Sequence, residues 1–250
     1  MSATASGRPV RVRKPNGPVV NAYLFLYNAT VCFGWGYVLY LTIKHYVDGG
    51  KPIELWPKIE YWLKLSQTLA LLEIVHSILG FVTSPIGSTV MQVASRIYIL
   101  WGVLNLENET HYTNNQAIAI TTLMFAWCPT EVIRYSFYAL KIYEVCPYFL
   151  LWLRYTTFYP LYPLGVGSEL ACLFFRLPYI YESRPYSLTL PNKFNWSFDS
   201  LYIVPLVGLA YVYGFPLLYT YMIKQRKKNL GPAVADKVSG DIFAEMKKTK

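Results

Sequence analysis

Tyr162 and Glu169 stand seven residues apart in a largely apolar stretch, and their types suit proton transfer. At 3.6 residues per turn, positions seven apart share a helix face to within about 20° and lie about two turns apart along the axis. A phenol and a carboxyl group so spaced leave room for a short piece of substrate between them. The pair therefore reads as a two-group acid/base site. Pro163 and Gly165 fall between them, so the helix is expected to kink or loosen there, which a membrane tolerates where the break lines a cavity or is buried in protein.

Six further ionisable residues occupy apolar surroundings: Glu73 and His76, Arg96, Glu131 and Arg134, and Arg154. At a bilayer centre each charge costs on the order of 3 kcal/mol on insertion scales, so these groups must face one another or a wet interior. Three glutamates, Glu169 included, stand against three arginines, which implies a largely charge-compensated polar interior. Alternatives stay open for individual members. Glu131 and Arg134, three apart on one helix face, are also suited to bridging helices. Glu73 and His76 have the same spacing and could serve as half-buried hydrogen-bonding groups. Arg154 could snorkel to the lipid headgroups.

The elements that must position these residues are membrane helices. Apolar residues make up 54% of the 250-residue chain and charged residues 15%, too few charges to cover a water-soluble surface. Residues 22–42 and 201–223 read as clean spans, since about 20 apolar residues cross a bilayer. Four less clean spans fall near 62–82, 89–104, 116–140 and 149–174. The expected fold is all-α: six transmembrane helices around an intramembrane polar cavity, with spans one and six as shell. Residues 1–18 are expected to be a disordered cytoplasmic segment, 19–228 the six-span catalytic domain, and 229–250 a flexible cytoplasmic tail.

The net charge of +9 is concentrated near the ends, in Arg8, Arg11, Arg13 and Lys14 and in Lys224, Arg226, Lys227 and Lys228. Basic clusters beside apolar spans follow the positive-inside rule better than they suggest nucleic-acid binding. Both termini are then cytoplasmic, and the loops 105–115 and 176–197 are lumenal. Each of these loops carries an acceptor sequon, at Asn108 and Asn195, whereas the sequon at Asn28 falls inside the first span. The polar N-terminus has no cleavable signal peptide, so the first span serves as anchor. Lys247 and Lys248 resemble the dilysine retrieval signal of endoplasmic-reticulum membrane proteins. Four cysteines without regular spacing read as small buried hydrophobes rather than as a disulfide or metal framework.

The stretch from Trp152 through Arg154, Tyr155, Phe158, Tyr162, Pro163 and Gly165 to Glu169 resembles the signature of the very-long-chain 3-hydroxyacyl-CoA dehydratases, also called protein tyrosine phosphatase-like proteins. The resemblance extends to Leu72–His76, Ser95–Arg96, Thr130–Phe137, Leu190–Asn192 and Phe198–Asp199, and covers residues 20–228. It implies a six-span endoplasmic-reticulum enzyme that removes water from 3-hydroxyacyl-CoA, the third step of fatty-acid elongation. It also implies a catalytic pair at Tyr162 and Glu169, and condensing enzymes and reductases of the cycle as partners. Arg154 first, and with it Arg96 or the basic residues of the tail, are candidates for holding the CoA phosphates. The chemistry agrees with the residues, because elimination of water needs one base and one acid and no metal or cofactor. Which of the two is the base stays open.

Other classes fare worse. His45, His76 and His111 are too few and too scattered for a histidine-box di-iron enzyme, and no G-x-G-x-x-G supports a nucleotide-dependent reductase. A phosphatase needs a cysteine nucleophile and an arginine six residues on, and Ser77 and Thr83 stand in those places after His76. A catalytically silent scaffold of the elongase complex is the main alternative, and a transporter using the same charges is a third.

Overall fold

The computed structural model describes residues 16–82, 84, 86–105 and 113–231, and these form an all-helical protein. Beyond the helices, a single isolated bridge joins Leu188 and Phe198 among the described residues. The expected disordered N-terminus, the Asn108 sequon and the dilysine tail lie outside the described residues.

Among the described residues eight α-helices follow in order: α1 Pro18–Val47, α2 Trp56–Leu69, α3 Leu71–Ile78, α4 Ile86–Ile97, α5 Asn114–Ile142, α6 Tyr148–Thr156, α7 Phe158–Ser183 and α8 Ile203–Leu230. A π-helical stretch, Tyr98–Leu104, prolongs α4. Among the described residues, three segments are long and apolar enough to cross a membrane: α1, α5, and α8 with the short turn before it. α1 begins with Pro18 in its first turn, where a missing N–H costs nothing, and ends before Gly49, whose φ of 78° suits a glycine. Thr113 caps α5 by accepting from the Gln116 amide at 3.2 Å.

α5 is the central helix, packed between α1 and α7, with α2 against α1, α3 against α4, and α8 against α6 and α7. The core runs along it through Ile120, Leu123, Met124, Trp127, Cys128 and Tyr135 and meets Val31, Trp35 and Val38 of α1. Among lipid-solvated helices such contacts stabilise through close packing and hydrogen bonding rather than through removal of apolar surface from water. Gly34 of α1 is where α2 comes close, since a Cβ there would overlap the Ser66 hydroxyl. The first helix is therefore part of the core, not the shell expected from sequence.

Two expected spans are broken, each for a local reason. At the α2–α3 break, the Tyr27 hydroxyl donates to the Leu69 carbonyl at 3.0 Å. An unbroken helix would direct the Glu73 amide there, but it bonds to Ala70 instead, also at 3.0 Å. At the α6–α7 break, Pro160 lacks the N–H that would bond Thr156, and the helix restarts so that Pro160 falls in its first turn. The discontinuity is thus at Thr157, and α7 continues helical through Pro163 and Gly165, where loosening was expected. α7 also runs on to Ser183, which places Arg176 inside the helix and 1% exposed rather than at the start of a loop.

Candidate active site

Glu169 lies on the buried face of α7, 7% exposed. Its carboxylate is held from two other helices by neutral donors. The indole Nε1 of Trp127 on α5 donates to Oε1 at 2.7 Å, and the phenol of Tyr211 on α8 donates to Oε2. Gly165, one turn earlier, faces α5, where Ala126 and Trp127 lie 3.7 and 3.9 Å from where its Cβ would be, an ordinary packing distance. Next to Glu169, Ser168 donates to Thr122 of α5 at 3.0 Å.

Tyr162 is half-buried and stacks on two rings of α8. Its ring lies 5.3 Å from Phe215 at an interplanar angle of 6° and 6.1 Å from Tyr219 at 16°. Its hydroxyl makes no hydrogen bond among the described residues. The two groups thus occupy one side of α7, both facing α8, as the seven-residue spacing predicts.

Trp127 is itself fixed from two more directions. Its ring meets Trp35 of α1 edge-on at 6.2 Å, and the Arg96 guanidinium of α4 lies over it at 5.6 Å. Arg96 in turn donates to Glu131, which is 1% exposed and also accepts from Arg134 Nε at 2.9 Å. Arg134 reaches across to Glu73 with two parallel bonds, 3.1 and 2.7 Å long, and Tyr135 donates to the same carboxylate. Two arginines and two glutamates therefore form one compensated network joining α3, α4 and α5.

The remaining sequence-predicted residues lie outside that network. His76 is 3% exposed, bonded through Nε2 to the Tyr23 hydroxyl at 2.9 Å and edge-on to Tyr27 at 4.7 Å. Arg154 on α6 bonds the Tyr138 hydroxyl at 3.3 Å, with its guanidinium 5.7 Å from that ring. Sequence reasoning did not find Trp127, Tyr211 or Phe215. Their residue types recur through the chain, and no spacing within one helix identifies a neighbour on another. It also missed Arg176, whose guanidinium lies 4.3 Å over the Tyr179 ring.

The arrangement can exchange protons: a buried carboxylate accepts on both oxygens, and a phenol about two turns away keeps its hydroxyl uncommitted. Away from the pair, an apolar groove of about 370 Å³ opens beside Ile97, Trp101, Gly102, Ile180 and Ile203. Ile180 is roughly 16 Å along α7 from Glu169.

Residues 67–232 match the family model described as protein tyrosine phosphatase-like protein, PTPLA. The chain is 43% identical over 213 residues to a very-long-chain (3R)-3-hydroxyacyl-CoA dehydratase of Caenorhabditis elegans, covering 85% of this chain and 96% of that one. It is 42% identical over 214 residues to the dehydratase PASTICCINO 2A of rice, covering 85% and 95%. It is 39% identical over 220 residues to dehydratase 2 of mouse, covering 88% and 85%. No solved structure matches it significantly.

Proposed function

This chain belongs to the protein tyrosine phosphatase-like family, and from that premise we propose that it dehydrates very-long-chain 3-hydroxyacyl-CoA to trans-2-enoyl-CoA between Tyr162 and Glu169. The observation that carries the assignment of residues is the carboxylate of Glu169, buried without an arginine or lysine bonded to it and facing the same side of α7 as a free phenol.

Because both Glu169 oxygens accept hydrogen bonds, we assign it the base that takes the proton from C2. The C2–H electron pair becomes the C2–C3 double bond as the C3–O bond breaks. The Tyr162 hydroxyl supplies the proton with which the C3 hydroxyl leaves as water. Return of a proton from Glu169 to the Tyr162 phenolate restores both groups, and no redox or metal partner enters the balance. Each positioned group contributes about 10²–10⁴-fold in comparable enzymes.

The rest of the reading follows from the same elements. Six spans are formed by α1, by α2 with α3, by α4 with its π-helical extension, by α5, by α6 with α7, and by α8, around a polar interior. The basic ends put both termini in the cytoplasm, in the endoplasmic-reticulum membrane where the other enzymes of the elongation cycle are the expected partners. Arg154, on the cytoplasmic side of Tyr162, is the proposed contact for the CoA phosphates. Arg96, already joined to Glu131, supports Trp127 in addition to any such role.

The test is conversion of a long-chain 3-hydroxyacyl-CoA by purified protein beside Tyr162→Phe and Glu169→Gln. Each variant is expected to lose at least 100-fold in kcat. A folded wild type that forms no enoyl-CoA, or variants as active as wild type, would instead favour the silent scaffold.

A further inference from the structure

We propose that Tyr211 is a positioning residue that fixes the Glu169 carboxylate for proton abstraction, an inference that rests on the dehydratase reading above. α8 has no fully buried residue, and Val212, Tyr213 and Leu217 are 68%, 71% and 70% exposed. Within this exposed helix Tyr211, Phe215 and Tyr219 are half-buried and four residues apart. That spacing builds one ridge along the helix.

The ridge faces α7 in an antiparallel register. Tyr219 and Phe215 lie against Tyr162, and Tyr211 meets Glu169. Both proposed reacting groups are therefore aligned by one row of α8 side chains. The first two members of that row contribute ring surface. Tyr211 contributes a hydroxyl bonded to a reacting carboxylate.

The chemical consequence concerns rotation. The terminal torsion of a glutamate is broad and roughly two-fold, so a single hydrogen bond leaves the carboxylate plane poorly defined. Trp127 on Oε1 and Tyr211 on Oε2, donating from different helices, define the plane and leave a lone pair on each oxygen for a proton. Proton transfer depends steeply on such alignment.

Tyr211→Phe keeps the ring and removes the donor, and Tyr213→Phe makes the same deletion on the exposed side of α8. Full-length enzyme reconstituted in lipid is assayed, and the Glu169 carboxylate band is read from the infrared difference between each protein and its Glu169→Gln counterpart. Tyr211→Phe is expected to lower kcat roughly 10–100-fold, as loss of one hydrogen bond to a charged group implies, with KM within twofold. It should also displace the Glu169 band. Tyr213→Phe should change neither. A kcat within twofold of wild type, or a fall in kcat without displacement of the band, would overturn the proposal. If the wild type forms no product yet the band moves in Tyr211→Phe, the contact stands while the dehydratase reading, and the positioning role with it, fails.

Discussion

Trp127 is the side chain through which most of the molecule meets Glu169. One indole is packed by Trp35, overlaid by Arg96 and bonded to the carboxylate, so α1, α4, α5 and α7 converge on it. Replacing it with phenylalanine removes the donor and part of the packed volume. Trp127→Phe is expected to lower kcat/KM roughly 10–100-fold through the lost bond to a carboxylate. It should also lower thermal stability by about 1–3 kcal/mol, the range for an imperfectly filled core site. Steady-state kinetics and thermal unfolding of the same preparation separate the two effects. Of the proposed site, Tyr162 and Glu169 were named from sequence by their seven-residue spacing and by the family resemblance, and the structure places them on one side of α7. Trp127 and Tyr211 were illegible because their relation to Glu169 is between helices, among 7 Trp and 23 Tyr.

At the scale of elements, the Arg96–Glu131–Arg134–Glu73 network ties α3, α4 and α5 where apolar packing alone would leave four charges unmatched. Glu131 bonds both arginines, so Glu131→Leu leaves Arg96 without its bonded carboxylate and is expected to destabilise by about 3–5 kcal/mol. Adding Arg96→Met should recover most of that loss, because the remaining Arg134–Glu73 pair is self-contained. Thermal unfolding of the single and double variants checks both statements. Three glutamates against three arginines were readable in the sequence; the structure pairs two of each, bonds Glu169 and Arg154 to uncharged partners, and buries Arg176 as a further cation. The helices followed the same division. Continuous apolar runs marked α1 and α8, whereas α5 was read as a less clean span because of Glu131 and Arg134. The Ala70 break was invisible, because the hydroxyl that takes the freed Leu69 carbonyl comes from Tyr27, 42 residues away. The effect of the prolines was misplaced by a few residues: Pro160 sets the break, and α7 accommodates Pro163 without interruption.

For the whole molecule, one exposed side chain reports the orientation in the membrane. Asn195 lies in the segment between α7 and α8, exposed and with a φ of 48°, whereas Asn28 is 8% exposed within α1. If the α7–α8 segment is lumenal, Asn195 of the expressed chain is glycosylated and Asn28 is not. A glycosidase-sensitive mobility shift that persists in Asn28→Gln and disappears when both Asn195 and Asn108 are replaced by Gln is the expected result. Absence of the shift in wild type would reverse the assigned sides or show the acceptors unused, which cysteine labelling from each side distinguishes.

The sparse attachment of α8 has a consequence for what counts as part of the enzyme. A helix with no fully buried residue, resting on α6 and α7 and leaving Val212, Tyr213 and Leu217 exposed, depends for its register on whatever surrounds it. The tilt of a membrane-spanning helix responds to bilayer thickness. Since Tyr211 rides on that helix, the proposed reading makes the lipid annulus an uncredited structural component of the site, and turnover a property of the protein together with the membrane that confines it.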